Sequence, residues 1–140
     1  MILRFFKIIL IVLLSQNMLF ANTQFFEQGI NLYNKKKFDK AKFKFEQDIV
    51  YNPKSEMSYL YLSKIFKNLR KKDLEEQNLN TVILLNPKNE EAIYSLAKLK
   101  LETSDYKKSK ELNDRLIKVC NKFCEKSKKL KIEIDNLSKK

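Results

Sequence analysis

The chain has 140 residues, 29 of them Lys or Arg against 17 Asp or Glu, for a formal net charge of +12. That length holds one modest domain. With no histidine anywhere and Gly29 as the only glycine, the chain lacks the commonest general base and metal ligand and any glycine-rich phosphate loop. No catalytic residue, cofactor site or metal site is assigned, and an enzyme is not expected.

At the amino end, Arg4 and Lys7 precede the apolar run Ile8 to Leu14, and Ser15-Gln16-Asn17 leads into Leu19-Phe20-Ala21. That order reads as a signal peptide over residues 1–21, cleaved after Ala21. The alternative is an uncleaved anchor, because Ile2 to Phe20 is nearly long enough to span a bilayer. The first reading implies an exported, periplasmic protein, the second one held in the inner membrane and facing the periplasm. Losing residues 1–21 removes only Arg4 and Lys7, so the remainder stays strongly basic. Lysine carries almost all of that charge, with Arg70 and Arg115 the only arginines after residue 21, and lysine is the weaker residue for bidentate grip. Part of the excess reflects the amino-acid bias of an AT-rich genome. The rest points to acidic partners, anionic lipid or cell-wall polymer; nucleic acid is not an expected partner of an exported chain.

Beyond residue 21 the chain repeats itself. Ile49-Val50-Tyr51-Asn52-Pro53-Lys54-Ser55 returns thirty-four residues later as Ile83-Leu84-Leu85-Asn86-Pro87-Lys88-Asn89, a period at which helix-turn-helix units stack. The same spacing aligns Phe25 with Tyr59 and Ile93, Gln28 with Leu62 and Leu96, Gly29 with Ser63 and Ala97, and Ile49 with Ile83 and Ile117. Small residues at Gly29, Ser63 and Ala97 let two helices approach closely. Phe38, Ala41, Phe45 and Ile49 fall at helical spacing and read as a core stripe. Pro53 and Pro87 end the second helices of the first two units, while Ser55, Asn89, Ser104 and Asp105 are expected caps for the helices that follow them. Glu75-Glu76 and Glu90-Glu91 read as solvated charge, the second pair also favourable to a helix N-terminus.

These residues resemble the tetratricopeptide repeat (TPR) family over residues 22–121. The resemblance rests on Gly29, Phe38, Ala41, Phe45 and Pro53 in a first unit (22–55). It continues with Tyr59, Leu62, Ser63, Phe66 and Pro87 in a second (56–89), and with Ala92, Leu96, Ala97 and Tyr106 in a third (90–121). The chain departs from the family at Glu75 and Ser109, where alanine is preferred, at Lys72, where an aromatic is usual, and at Asn121, in place of a closing proline. A shifted second turn, with Leu74 taking the place of Phe38 and Tyr106, is one way to absorb Lys72. The implied fold is an all-α solenoid of about three helix-turn-helix units.

Residues 122–140 follow with Phe123, Lys126, Leu130, Ile134 and Leu137 at helical spacing, read as a capping helix with a polar outer face. Cys120 and Cys124 are one helical turn apart. A structural disulfide, two thiols and a redox or metal role all remain open, although two thiolates alone make a poor zinc site and an unbroken helix between them would strain a disulfide.

The resemblance also implies a binding surface, since the first helix of each TPR unit lines the concave face. Carried over by alignment, that face takes Phe26, Ile30 and Tyr33, then Leu60, Tyr61, Lys64 and Lys67, then Tyr94, Lys98 and Leu101. Aromatics stack on an extended peptide and lysines attract carboxylates, so the expected ligand is an acidic, partly apolar segment of a protein partner. Phe26 and Ile30 occupy two places of the family's carboxylate-gripping pattern, so chaperone-tail binding is not expected. The resulting functional expectation is a non-catalytic adaptor for an envelope complex. The alternative is a lysine-rich protein associated with anionic lipid or cell wall.

Overall fold

The computed structural model describes residues 24–139; the segment assigned to a signal peptide or anchor lies outside them. Among the described residues every regular element is a helix, and none is long and apolar enough to cross a membrane. The chain divides into two compact units between Ser58 and Tyr59.

In the first unit, helix α1 covers 24–34 and α2 covers Phe38–Tyr51. Ala41 and Phe45 of α2 are fully buried, one helical turn apart as a core stripe requires. Gly29 is what admits Phe45: a Cβ on residue 29 would lie 2.6 Å from the ring. Phe26 packs on Phe45 at 5.9 Å between ring centroids and Tyr33 on Phe38 at 5.5 Å. After α2, the buried Asp48 carboxylate accepts hydrogen bonds from the Ser55 and Ser58 hydroxyls at 2.5 Å. Ser55, expected as a simple cap, is therefore drawn back onto the preceding helix.

Helix α3, Glu56–Asn68, runs across the division. The second unit contains most of it, followed by α4 (Lys72–Leu85), α5 (Glu90–Glu102), α6 (Tyr106–Val119) and α7 (Cys124–Leu137). Helix α5 is central and buries Ala92, Ile93, Leu96, Ala97, Leu99 and Leu101. A helix apolar on so much of its circumference needs neighbours on several sides, and α4, α6 and α7 provide them. Helix α6 buries one stripe only, Ser109, Leu112, Asn113 and Leu116. Helix α7 adds Leu130 and Ile134 to the same core.

Second helices start at Phe38, Lys72 and Tyr106, in strict step with the thirty-four-residue period. The second turn is therefore not shifted: Lys72, not Leu74, holds the place of Phe38 and Tyr106, and Leu74 is exposed. Each hairpin turn also repeats one backbone conformation. Lys36, Arg70 and Ser104 have φ of 56°, 57° and 62°, and at each the next residue's N–H reaches five residues back, Lys37 to Leu32, Lys71 to Phe66 and Asp105 to Lys100. This is the left-handed helix stop that glycine usually supplies. Ser104 is thus the turn residue, and Asp105 alone caps α6, accepting from the Lys108 N–H at 3.1 Å. Asn89 caps α5 by accepting from Ala92 N–H at 2.8 Å.

Candidate interaction face

Helices α3, α5 and α7 start at Glu56, Glu90 and Cys124, so α7 keeps the register of a first helix. Within the second unit these three helices and the residue before α7 carry a row of aromatic and charged side chains in three contacting groups. Lys64 pairs with Glu91 at 2.8 Å and lies over the Tyr61 ring, 4.9 Å from its centroid. Tyr94 packs on Phe123 at 5.6 Å, with the Lys126 ammonium 4.2 Å from the Phe123 centroid. Lys98 reaches across to both oxygens of Glu133, each at 3.0 Å. Tyr61 and Tyr94 are half-buried, leaving part of each ring accessible.

The residues expected on a binding face divide accordingly. Tyr61, Lys64, Tyr94 and Lys98 are brought into this row, and Lys67 is exposed at the far end of α3. Leu60 and Leu101 instead lie in the core, 2% and 5% exposed, because burying a leucine is worth about 1.5–3 kcal/mol and the core is within reach of both. In the first unit, Phe26 and Tyr33 pack on Phe45 and Phe38 of their own hairpin, while Ile30 is half-buried. Phe26 also lines a cleft of about 300 Å³ with Glu27, Asp48, Asn52, Ser55, Glu56 and Met57. That lining is acidic, through Glu27, Asp48 and Glu56. Lys64 and Lys98 are each neutralised by an acid of the same chain, so an incoming carboxylate must compete with Glu91 and Glu133 for them.

Glu91, Phe123, Lys126 and Glu133 belong to the row and were not anticipated. The signal for α7 was present, since Leu62 and Leu96 continue to Leu130 at the same period.

The attachment of α7 is polar as well as apolar. Asn113 and Ser127, both buried, exchange hydrogen bonds: Asn113 Nδ2 donates to the Ser127 carbonyl at 3.1 Å and Ser127 Oγ to Asn113 Oδ1 at 2.9 Å. Glu90 accepts from the backbone N–H groups of Lys122 and Phe123 at 2.9 and 2.7 Å. Its carboxyl is held below the usual range, first by the Asn121 backbone N–H and then by those of Phe123 and Lys122. A disulfide joins Cys120 to Cys124, with Cα atoms 5.2 Å apart. Helix α6 ends at Val119, and Cys120 is extended, so the bridge spans a break between helices where an unbroken helix would have resisted it.

Glu75, expected to be solvated, is only 4% exposed. Burial pushes its carboxyl above the usual range; Lys67 opposes the shift, Glu102 adds to it and Lys72 opposes it. It stands at the position of Ala41 and Ser109, and in the α5–α6 hairpin the Ser109 hydroxyl uses the equivalent site to donate to the Ala97 carbonyl at 2.8 Å.

No protein-family model matches the chain, and no curated protein matches it in sequence. Solved structures do match its fold. The first TPR of Spaghetti (RPAP3) bound to the HSP90 peptide SRMEEVD is similar with a TM-score of 0.76 and 15% identity, covering 85% of this chain and 94% of that one. The TPR2B domain of yeast Sti1 in a pHsp70 complex gives 0.75 at 15% identity, covering 83% and 97%. The Yersinia enterocolitica type III secretion chaperone SycD, in complex with a peptide of the translocator YopD, gives 0.74 at 17% identity, covering 84% and 94%.

Proposed function

We propose that this chain, whose fold is that of TPR domains, is a non-catalytic adaptor that holds a segment of another protein across the face of α3, α5 and α7. The observation that carries this reading is the row of half-accessible rings, Tyr61 and Tyr94, set among lysines that are already oriented by Glu91 and Glu133. Aromatic faces contribute apolar area with little loss of side-chain freedom. A lysine pre-positioned by its own acid can exchange that partner for a ligand carboxylate without first being immobilised. The peptide complexes of RPAP3, Sti1 and SycD support the same use of the fold. The ligand we infer is partly apolar and moderately acidic, because the internal ion pairs leave this face less basic than the chain as a whole. The setting we propose is the periplasm, in assembly of an envelope complex, after export by residues 1–21.

A photoreactive residue at Tyr61, crosslinked in cells of the source organism and followed by mass spectrometry, tests the proposal. One dominant partner is expected, captured on a chain that begins at Asn22. Tyr61→Ala and Tyr94→Ala should each weaken that partner's binding roughly tenfold, the scale of a lost aromatic anchor, with unchanged circular dichroism. Protein that elutes from envelopes at high salt and is indifferent to both substitutions would show a charge-driven surface protein instead.

A further inference from the structure

The bridge between Cys120 and Cys124 is not what fastens α7. Leu130 and Ile134 are buried in the core that α7 shares with α5 and α6, and Asn113 and Ser127 exchange two buried hydrogen bonds. All four residues lie outside the loop that the bridge closes. That loop is very short, its cysteines being four apart in sequence, and a crosslink stabilises least when its loop is short. What the bridge does constrain is the corner it encloses, Asn121 to Phe123. Inside that corner Glu90 accepts from the N–H groups of Lys122 and Phe123 at 2.9 and 2.7 Å, and the Phe123 ring packs on Tyr94. The corner therefore has two ties, one through the Glu90 carboxylate and one covalent. Only the covalent tie can be opened and remade by chemistry. Both cysteines are half-buried, outside the core, and border a surface cleft, so a thiol can reach the bridge.

We propose that the Cys120–Cys124 bridge is a thiol–disulfide exchange site opened by a dithiol, and that its opening loosens Phe123 against Tyr94 while α7 stays docked. One thiolate of the dithiol attacks Cys120 Sγ, the bond between the cysteines breaks, and Cys124 leaves as a thiolate. Cys124 is the better leaving group because it is the first residue of α7, where the positive helix end stabilises an anion. The dithiol's second thiolate then attacks the dithiol's own sulfur in the mixed disulfide and expels the Cys120 thiolate. The dithiol is thereby oxidised to a disulfide and the bridge reduced to two thiols, which take up the two protons that the dithiol gave up. The corner is left on Glu90 alone. The consequence for a bound segment rests on the adaptor reading, because Phe123 belongs to that face; the exchange itself does not.

The test uses the full folded chain with dithiothreitol as the dithiol, and it reads the chain alone, so no partner enters it. Without denaturant, dithiothreitol is expected to open the bridge with circular dichroism unchanged. Amide exchange at Lys122 and Phe123 should speed up at least about tenfold, the scale of removing a short-loop crosslink, while Leu130 and Ile134 stay as protected as before. Glu90→Gln should shift the Phe123 resonances more in the reduced chain than in the oxidised one. Glutathione followed by alkylation should leave the mixed disulfide on Cys120 and the alkyl group on Cys124, read by mass spectrometry. A bridge that opens only when the chain unfolds, exchange at Lys122 and Phe123 unaltered by reduction, or a mixed disulfide on Cys124 would overturn the proposal. So would lost protection at Leu130 and Ile134, which would make the bridge the fastening of α7.

Discussion

Gly29 is the chain's only glycine, and it is used in a helix interior, where alanine would ordinarily be worth about 1 kcal/mol more. Three atoms of the fully buried Phe45 ring lie within 2.9 Å of the Cβ that alanine would add. A rigid buried ring has little room to retreat, so overpacking, at about 1–3 kcal/mol, should outweigh the gain in propensity. Gly29→Ala is expected to lower stability by about 1 kcal/mol in urea denaturation, and Phe45→Leu in the same chain should recover part of the loss. Glu75 makes the opposite case, a residue less suited to its site than its counterparts Ala41 and Ser109. Its folded carboxyl is raised by burial, so its favourable contribution is present below the unfolded value near 4.5 and is lost as pH rises through the folded one. Glu75→Gln should therefore stabilise at pH 7, on the order of 1 kcal/mol for relief of one desolvated group, with the difference from the parent closing at pH 4. Glu90, lowered by backbone N–H groups, runs the other way and weakens the α7 attachment as pH falls below 4.5.

Helix starts show how far local chemistry decides an element. Asn89 and Asp105 cap α5 and α6 through their side chains, while the residues at the equivalent of Asp105, Lys37 and Lys71, provide no side-chain cap for α2 and α4. Lys71→Asp should raise stability by about 1 kcal/mol, the usual worth of a cap, with a further contribution from an acid at the positive helix end; thermal melts of the single variant measure it. The period made the helices and their starts legible, but the same alignment also carried Leu60 and Leu101 onto the face when both lie in the core. Leu74 was attractive as an apolar stand-in for an aromatic, yet spacing kept Lys72 in place. Helix α7 was legible as amphipathic, but Lys131 at the small-residue position concealed that it continues the same register. Ser55 could not be read as a tertiary group, because the buried Asp48 that engages it lies on the preceding helix.

At the scale of the molecule, the face was partly legible and its electrostatics were not. Tyr61 and Tyr94 follow from alignment, but the acids that neutralise Lys64 and Lys98 stand on other helices, and nothing in helical spacing connects Lys98 with Glu133. The same distinction between local and tertiary causes governs the turns. Lys36, Arg70 and Ser104 share one left-handed conformation although none is glycine or asparagine, and outside those types that conformation is disfavoured by about 1–2 kcal/mol. Three dissimilar residues in one strained geometry mean that the turn is imposed by the helices it joins. Such turns are poor nuclei for a hairpin and are expected to close after the helices have met. Arg70→Gly should then stabilise by about 0.5–1 kcal/mol almost wholly through slower unfolding, leaving the folding rate no faster in stopped-flow chevrons, so that the repeats assemble from their helical faces inward and their corners set last.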